Sequence, residues 1–291
     1  MRLEADGITV RFGGTVALNR ASITVEPGVI TGLIGPNGAG KTTLFNLLTG
    51  FDQPNSGNWS FDGRPLSKLG PHEVARLGVV RTFQLTKALS RLTVLQNMLL
   101  GAQDQKGERF FSAIIPGRWR TQERANTEKA MELLARFKLD AKKDDFAGTL
   151  SGGQRKLLEM ARALMSDPKV VMLDEPMAGV NPALTQSLLG HVKDLREQGM
   201  SVIFVEHDMD VVRDISDWVV VMAAGRIIAE GPPESISQNQ AVVDAYLGAH
   251  HDAPLTVEEE DQVLAQVERQ IAKEEAADGD VLDSQSRRTQ R

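Results

Sequence analysis

The sequence predicts an α/β fold, and three observations predict it. Short apolar runs such as Val170-Val171-Met172-Leu173 and Val202-Ile203-Phe204-Val205 suit strands buried on both faces. Segments of helical periodicity follow them, from Ala183 to Gly199 and from Asp208 to Ile215. A glycine-rich turn, Gly35-Pro36-Asn37-Gly38-Ala39-Gly40-Lys41-Thr42-Thr43, joins the apolar run Ile30-Thr31-Gly32-Leu33-Ile34 to a second one starting at Leu44, which makes a strand, a tight turn and a helix start.

The elements follow in order. Residues 1–34 read as short strands: Leu3 to Val10, Val16 to Leu18, Ala21 to Val25 and Val29 to Ile34, with Gly13-Gly14 and Pro27-Gly28 between them. Gly57 to Gly63 suits a strand and hairpin, with Trp59 and Phe61 alternating with polar residues, and Val79 to Phe83 suits another strand. From about 86 to 165 the period becomes helical, over Leu92 to Leu100, Arg120 to Phe137 and Gln154 to Met165. That block reads as a helical insertion in an α/β domain spanning 1–250. Trp218 to Met222 and Arg226 to Glu230 predict a closing hairpin around Ala224-Gly225. Residues 251–291 form an acidic tail. Within it Thr256 to Ala277 predicts a helix, with Thr256 and Glu259 at capping-box spacing and Val257, Leu264 and Ile271 seven apart; disorder is expected after Asp278.

Composition removes several function classes. The chain has no cysteine, which excludes disulfides, thiolate zinc sites and thiol catalysis. No apolar signal segment follows Met1, and no run reaches the roughly 20 apolar residues of a membrane-spanning helix. The net charge is -6. From Asp252 to Arg291 there are 11 acidic and 5 basic residues, so the remainder is balanced, with no basic stripe to bind nucleic acid.

The turn Gly35–Thr43 fits the phosphate-binding pattern G-x-x-x-x-G-K-[ST]. Its glycines let successive N–H groups converge on a phosphate chain, and the helix N-terminus adds positive charge. In that pattern Lys41 reaches the β and γ phosphates and the Thr42 hydroxyl holds Mg²⁺. Six further features surround it. Asp174 and Glu175 end an apolar strand, where the first can hold Mg²⁺ and the second can act as general base. Ser151-Gly152-Gly153-Gln154 opens a helix with a second anion-binding turn. His207 follows a strand parallel to the one carrying Asp174, so both fall at one sheet edge. Gln84 can contact Mg²⁺ or the attacking water without adding charge. Phe12, before Gly13-Gly14, offers a ring to a base. Ala178 to Pro182 is a tight turn. Each of the six alone also reads as ordinary structure: a solvated strand end, an N-capped helix, a structural histidine, a surface amide, a core aromatic and a turn.

Together these residues resemble the ATP-binding subunit of an ABC transporter, over residues 1 to about 250. Gly35 to Thr42 match the Walker A motif. Val170 to Asp174 match Walker B, with Glu175 as its catalytic glutamate. Leu150 to Gln154 match the signature sequence without substitution. Gln84 falls at the Q-loop and His207 at the switch histidine, and Phe12 stands for the usual A-loop aromatic. Asn181 stands where the D-loop commonly has aspartate. Val80 to Gln84, Asp174 to Pro182, Val205 to Met209 and the long stretch Gly101 to Glu123 are similar to the branched-chain amino-acid importer branch, with urea-importer and lipopolysaccharide-exporter ATPases as close relatives. A non-transport ABC protein of the ribosomal or repair type is the remote alternative.

The resemblance implies a P-loop NTPase fold: a mixed sheet with a RecA-like core, an N-terminal antiparallel β subdomain and the inserted helical subdomain. It implies ATP and Mg²⁺ as ligands, with Thr42, Gln84 and Asp174 around the metal. It implies a head-to-tail pair with a second ATPase subunit, in which Ser151 to Gln154 of one chain face the nucleotide held by Lys41 of the other. It also implies permease subunits, a substrate-binding protein and a place on the cytoplasmic membrane face.

Overall fold

A computed structural model describes residues 1–82, 89–103 and 116–251. Strands are numbered in chain order: β1 (Leu3–Phe12), β2 (Thr15–Val25), β3 (Ile30–Ile34), β4 (Ser56–Phe61), β5 (Arg64–Pro65), β6 (Val79–Arg81), β7 (Val170–Asp174), β8 (Ser201–Val205), β9 (Trp218–Ala223) and β10 (Arg226–Gly231). An antiparallel sheet has the order β2-β1-β4-β5, and a six-stranded sheet the order β10-β9-β3-β8-β7-β6. In the larger sheet β6, β7, β8, β3 and β9 run parallel, and β10 closes it antiparallel to β9.

The parallel strands are buried on both sides, which is why their sequences read as unbroken apolar runs. Alternate residues point to opposite faces. Val202 and Phe204 of β8, with Val219 and Val221 of β9, enter one core. Ile203 and Val205, with Val220 and Met222, enter the other. The first core is completed by the helices Val94–Leu99, Pro116–Arg136, Gly152–Leu164 and Pro182–Glu197. The second is completed by α1 (Lys41–Leu48) and the antiparallel sheet, through Phe45, Leu48, Trp59 and Phe61.

The expected strands at 16–18 and 21–25 are one continuous strand, β2. Asn19-Arg20 is a bulge in it rather than a turn. Arg20 takes a left-handed φ of 53°, its N–H donates to Thr9 Oγ1 at 3.3 Å, and the Asn19 N–H donates to the Gly225 carbonyl at 2.8 Å. The helix expected from Arg120 begins at Pro116, where a missing amide proton costs nothing. The expected hairpin at 218–230 forms as β9 and β10, turning through Ala224-Gly225.

Residues 1–246 make one compact unit. Of residues 247–291, those described are 247–251, the end of the helix Gln240–His251. The tail helix expected over 256–277 lies outside the described residues. No helix among the described residues is long and apolar enough to cross a membrane.

Candidate nucleotide site

Because β3, β6, β7 and β8 are parallel, their C-terminal ends share one edge of the sheet. Val205 pairs with both Leu33 and Asp174, so the ends of β3, β7 and β8 are level. The polar residues that follow each strand are thereby delivered to one place, where parallel α/β sheets hold ligands.

After β3 the chain turns through Gly35, Gly38 and Gly40, with φ of 148°, 76° and 101°. Space as well as dihedral requires glycine at the first: a Cβ on Gly35 would lie 2.1 Å from the Met222 carbonyl oxygen. Lys41, first residue of α1 and 7% exposed, folds back so that Nζ donates to the carbonyls of Gly35 at 2.6 Å and Pro36 at 3.0 Å. Burial pushes this ammonium below its ordinary value, while Glu175 and Asp174 pull it upward. Asn37, Gly38 and Thr42 are exposed, Pro36, Gly40 and Thr43 are half-buried, and Ala39 is buried.

Asp174 ends β7. Its Oδ2 accepts from Arg81 Nη2 at 2.5 Å, and Arg81 Nη1 donates to Asn46 Oδ1 of α1 at 2.6 Å. The guanidinium also lies 5.5 Å from the centre of the Phe45 ring. Arg81 therefore links β6, β7 and the helix that follows the phosphate loop.

Glu175 adopts a left-handed φ of 45°, a conformation a non-glycine residue keeps only when its surroundings hold it. Its N–H donates to the Val205 carbonyl at 3.1 Å, and its own carbonyl accepts from Lys156 Nζ at 2.5 Å. Its carboxylate Oε1 lies 3.0 Å from His207 Nε2. Next to His207, Glu206 is buried. Its Oε1 accepts from the Met177 N–H at 2.8 Å and its Oε2 from the His207 N–H at 3.4 Å. Burial pushes the Glu206 carboxyl up, against the pull of those two amides and of Lys156.

Ser151 caps the helix Gly152–Leu164 reciprocally: its Oγ accepts from the Gln154 N–H at 3.3 Å and its own N–H donates to Gln154 Oε1 at 3.1 Å. Ser151 and Gly152 are exposed, Gln154 is half-buried, and Gly153 packs on Leu184. Phe12 closes β1 and is 53% exposed. Asn181 caps the helix Pro182–Glu197, its Oδ1 accepting from the Leu184 N–H at 2.9 Å. An aspartate would cap that helix equally well.

The structure thus gathers Lys41, Asp174, Glu175 and His207. Gly152 and Asp174 also border one cavity of about 350 Å³ with Lys156 and Thr82. Among the described residues no hydrogen bond or ion pair joins Phe12 or Ser151 to the Lys41 group. Gln84 lies outside the described residues. Arg81, Lys156 and Glu206 are site neighbours that sequence reasoning missed. Glu206 had a visible signal, an acid beside His207 after an apolar strand. The other two act through partners 93 and 19 residues away.

The donor set fits Mg²⁺. The Asp174 carboxylate and the exposed Thr42 hydroxyl offer hard oxygen ligands, and among the described residues there is no group of three or more His, Cys, Asp or Glu that could hold a metal. A site with one carboxylate, one hydroxyl and phosphate oxygens is how magnesium is commonly held with nucleotides.

Comparison with known proteins places these features in a family. Residues 18–178 match the family described as ABC transporter, and residues 226–252 match the family described as branched-chain amino acid ATP-binding cassette transporter. The chain is 47% identical over 247 residues to the probable branched-chain amino acid transport ATP-binding protein LivG of Archaeoglobus fulgidus, covering 85% of this chain and 95% of that one. It is 42% identical to the high-affinity branched-chain amino acid transport ATP-binding protein BraF of Pseudomonas aeruginosa, covering 84% and 97%. Among solved structures it is similar to a nucleotide-free ATP-binding cassette from an ABC transporter, with a TM-score of 0.75 at 38% identity over 84% of this chain and 99% of that one. A cassette in its ADP conformation matches at a TM-score of 0.75 and 39% identity, over 85% and 99%.

Proposed function

Because the chain belongs to the ABC transporter family of ATP-binding proteins, in its branched-chain amino-acid branch, we propose that it hydrolyses ATP to drive import of branched-chain or other hydrophobic amino acids through a separate membrane permease. The names of the relatives favour amino acids over urea import or lipopolysaccharide export as the task. In this reading residues 1–250 are the cassette, with its helical subdomain at about 86–165, and residues 251–291 lie outside it. The protein works at the cytoplasmic membrane face, with a second ATPase subunit, permease subunits and a substrate-binding protein.

The observation that carries the hydrolytic reading is the Glu175–His207 contact at the level edge of β7 and β8. Gly35 to Thr43 bind the phosphates, and Lys41 turns from the loop carbonyls to the phosphate oxygens. Thr42, Asp174 and Gln84 would hold Mg²⁺, which would supply neutralisation of phosphate charge. The Glu175 carboxylate takes a proton from the attacking water, and His207 orients that carboxylate. Phe12 stacks on the base. Ser151 to Gln154 close over the nucleotide of the second subunit, exclude bulk water and add donors where charge develops.

The test is the full-length protein assembled with its permease and binding protein in liposomes, supplied with Mg²⁺ and ATP. Wild type is expected to accumulate labelled leucine. Glu175→Gln is expected to bind ATP normally and lose at least about 10²-fold in turnover, within the usual range for a general base. Normal turnover in that variant removes Glu175 from the base role. ATP-driven transport of a solute that is not an amino acid, without uptake of leucine or any other hydrophobic amino acid, removes the amino-acid assignment.

A further inference from the structure

We propose that Lys156 is a positioning residue for Glu175, tying the backbone of the glutamate to the helix that begins at Ser151. The inference rests on Glu175 being the general base.

Glu175 needs external support because its φ of 45° is unfavourable for a side chain with a Cβ. Two of its ties come from the end of β8: its N–H to the Val205 carbonyl at 3.1 Å, and its carboxylate to His207 at 3.0 Å. The third comes from a different part of the molecule. Lys156 stands four residues after Gly152, on the same face of that helix, and its ammonium donates to the Glu175 carbonyl at 2.5 Å. The Glu175 peptide is thus gripped from β8 on one side and from the helix of the Ser151 turn on the other.

The surroundings keep this lysine in place. Glu159, Glu206, Glu175 and Asp174 all favour its charge, against the burial that lowers its pKa. Lys156 also lines the cavity shared with Asp174 and Gly152. If the helix shifts relative to β7, the Glu175 carbonyl loses its donor or follows it. The direction of the carboxylate then depends on where the Ser151 turn lies. This links the turn that would meet a second subunit to the aim of the base.

The measurement is phosphate release from ATP with Mg²⁺ by the full-length protein, in wild type, Lys156→Met, Lys156→Gln and Lys156→Arg, alone and combined with Glu175→Gln. Loss of the tie misplaces the carboxylate by a fraction of its reach, so kcat in Lys156→Met and Lys156→Gln is expected to fall about tenfold to hundredfold. ATP affinity stays close to wild type, and Tm falls by no more than the loss of one charged hydrogen bond explains. Lys156→Arg, which can still donate to the carbonyl, recovers most of the rate. In the Glu175→Gln background, Lys156→Met adds no further loss.

Wild-type kcat in Lys156→Met and Lys156→Gln overturns the proposal. So does an additive loss in the Glu175→Gln background, which would make the ammonium act on the phosphates directly. A drop confined to ATP affinity or Tm also overturns it. A Glu175→Gln variant that turns over normally instead overturns the general-base reading beneath it.

Discussion

Glu206 is 5% exposed, and the edge of the nucleotide site is organised around it. Its two oxygens take the N–H groups of Met177 and His207, so one carboxylate fixes both the chain leaving Glu175 and the backbone of the histidine facing it. A carboxylate holding two amides is normally stabilised in its charged form, but burial outweighs this and the pKa lies above the ordinary 4.5. The folded state holds the proton more tightly than the unfolded chain, so stability is full below the unfolded pKa and declines as pH rises through the folded one. The Tm of wild type minus that of Glu206→Gln should therefore fall as pH is raised from about 4 towards neutrality. The amide changes the level of the curve, since it accepts one N–H well rather than two, but it has no titration. Parallel Tm profiles across that range would contradict the assignment.

At the scale of elements, the link between β6, β7 and α1 is Arg81. Its side chain is 9% exposed, and it bridges Asn46 and Asp174. In the proposed reading Asp174 holds Mg²⁺, so the guanidinium and the ion would compete for it. Arg81→Met should lower stability by about 1–3 kcal/mol, because Asp174 and Asn46 lose a charged donor. Adding Mg²⁺ and ADP should then raise the Tm of the variant more than that of wild type. Equal increments would show that Arg81 and the ion do not compete. Arg81 also marks where sequence reading stops. The turn at Gly35–Thr43 is legible because its glycines, lysine and flanking apolar runs are local. The two-sided burial of β7 and β8 is legible for the same reason. The bulge at Asn19-Arg20 is not, since its polar residues look like a turn until Thr9 and Gly225 supply partners from other strands. Arg81 and Lys156 look like ordinary cations in their segments, and their roles exist only after β6, β7 and the Gly152–Leu164 helix are brought together.

At the scale of the whole molecule, the features divide into a group already assembled and a turn left open. Lys41, Asp174, Glu175 and His207 lie at one sheet edge of a single chain. Ser151 and Gly152 are exposed, and a Cβ added to Gly152 would meet nothing within 4 Å. The Ser151 oxygen accepts the Gln154 N–H, which leaves its hydroxyl proton free to donate outward. Such a turn is suited to an anion brought by another chain, and a second ATPase subunit would bring one. Ser151→Arg tests this. The substitution costs the helix its cap, on the order of 1 kcal/mol, which a domain of this size tolerates. It leaves Gly35 to Thr43 untouched, so ATP affinity of the isolated subunit should match wild type. The long cation would fill the space in which the second subunit's γ-phosphate would lie. Turnover in the assembled transporter should therefore drop by at least about 10²-fold, as when a donor to developing charge is removed. Full turnover with Ser151→Arg would mean that the phosphate loop works without the turn, and that each chain hydrolyses ATP alone.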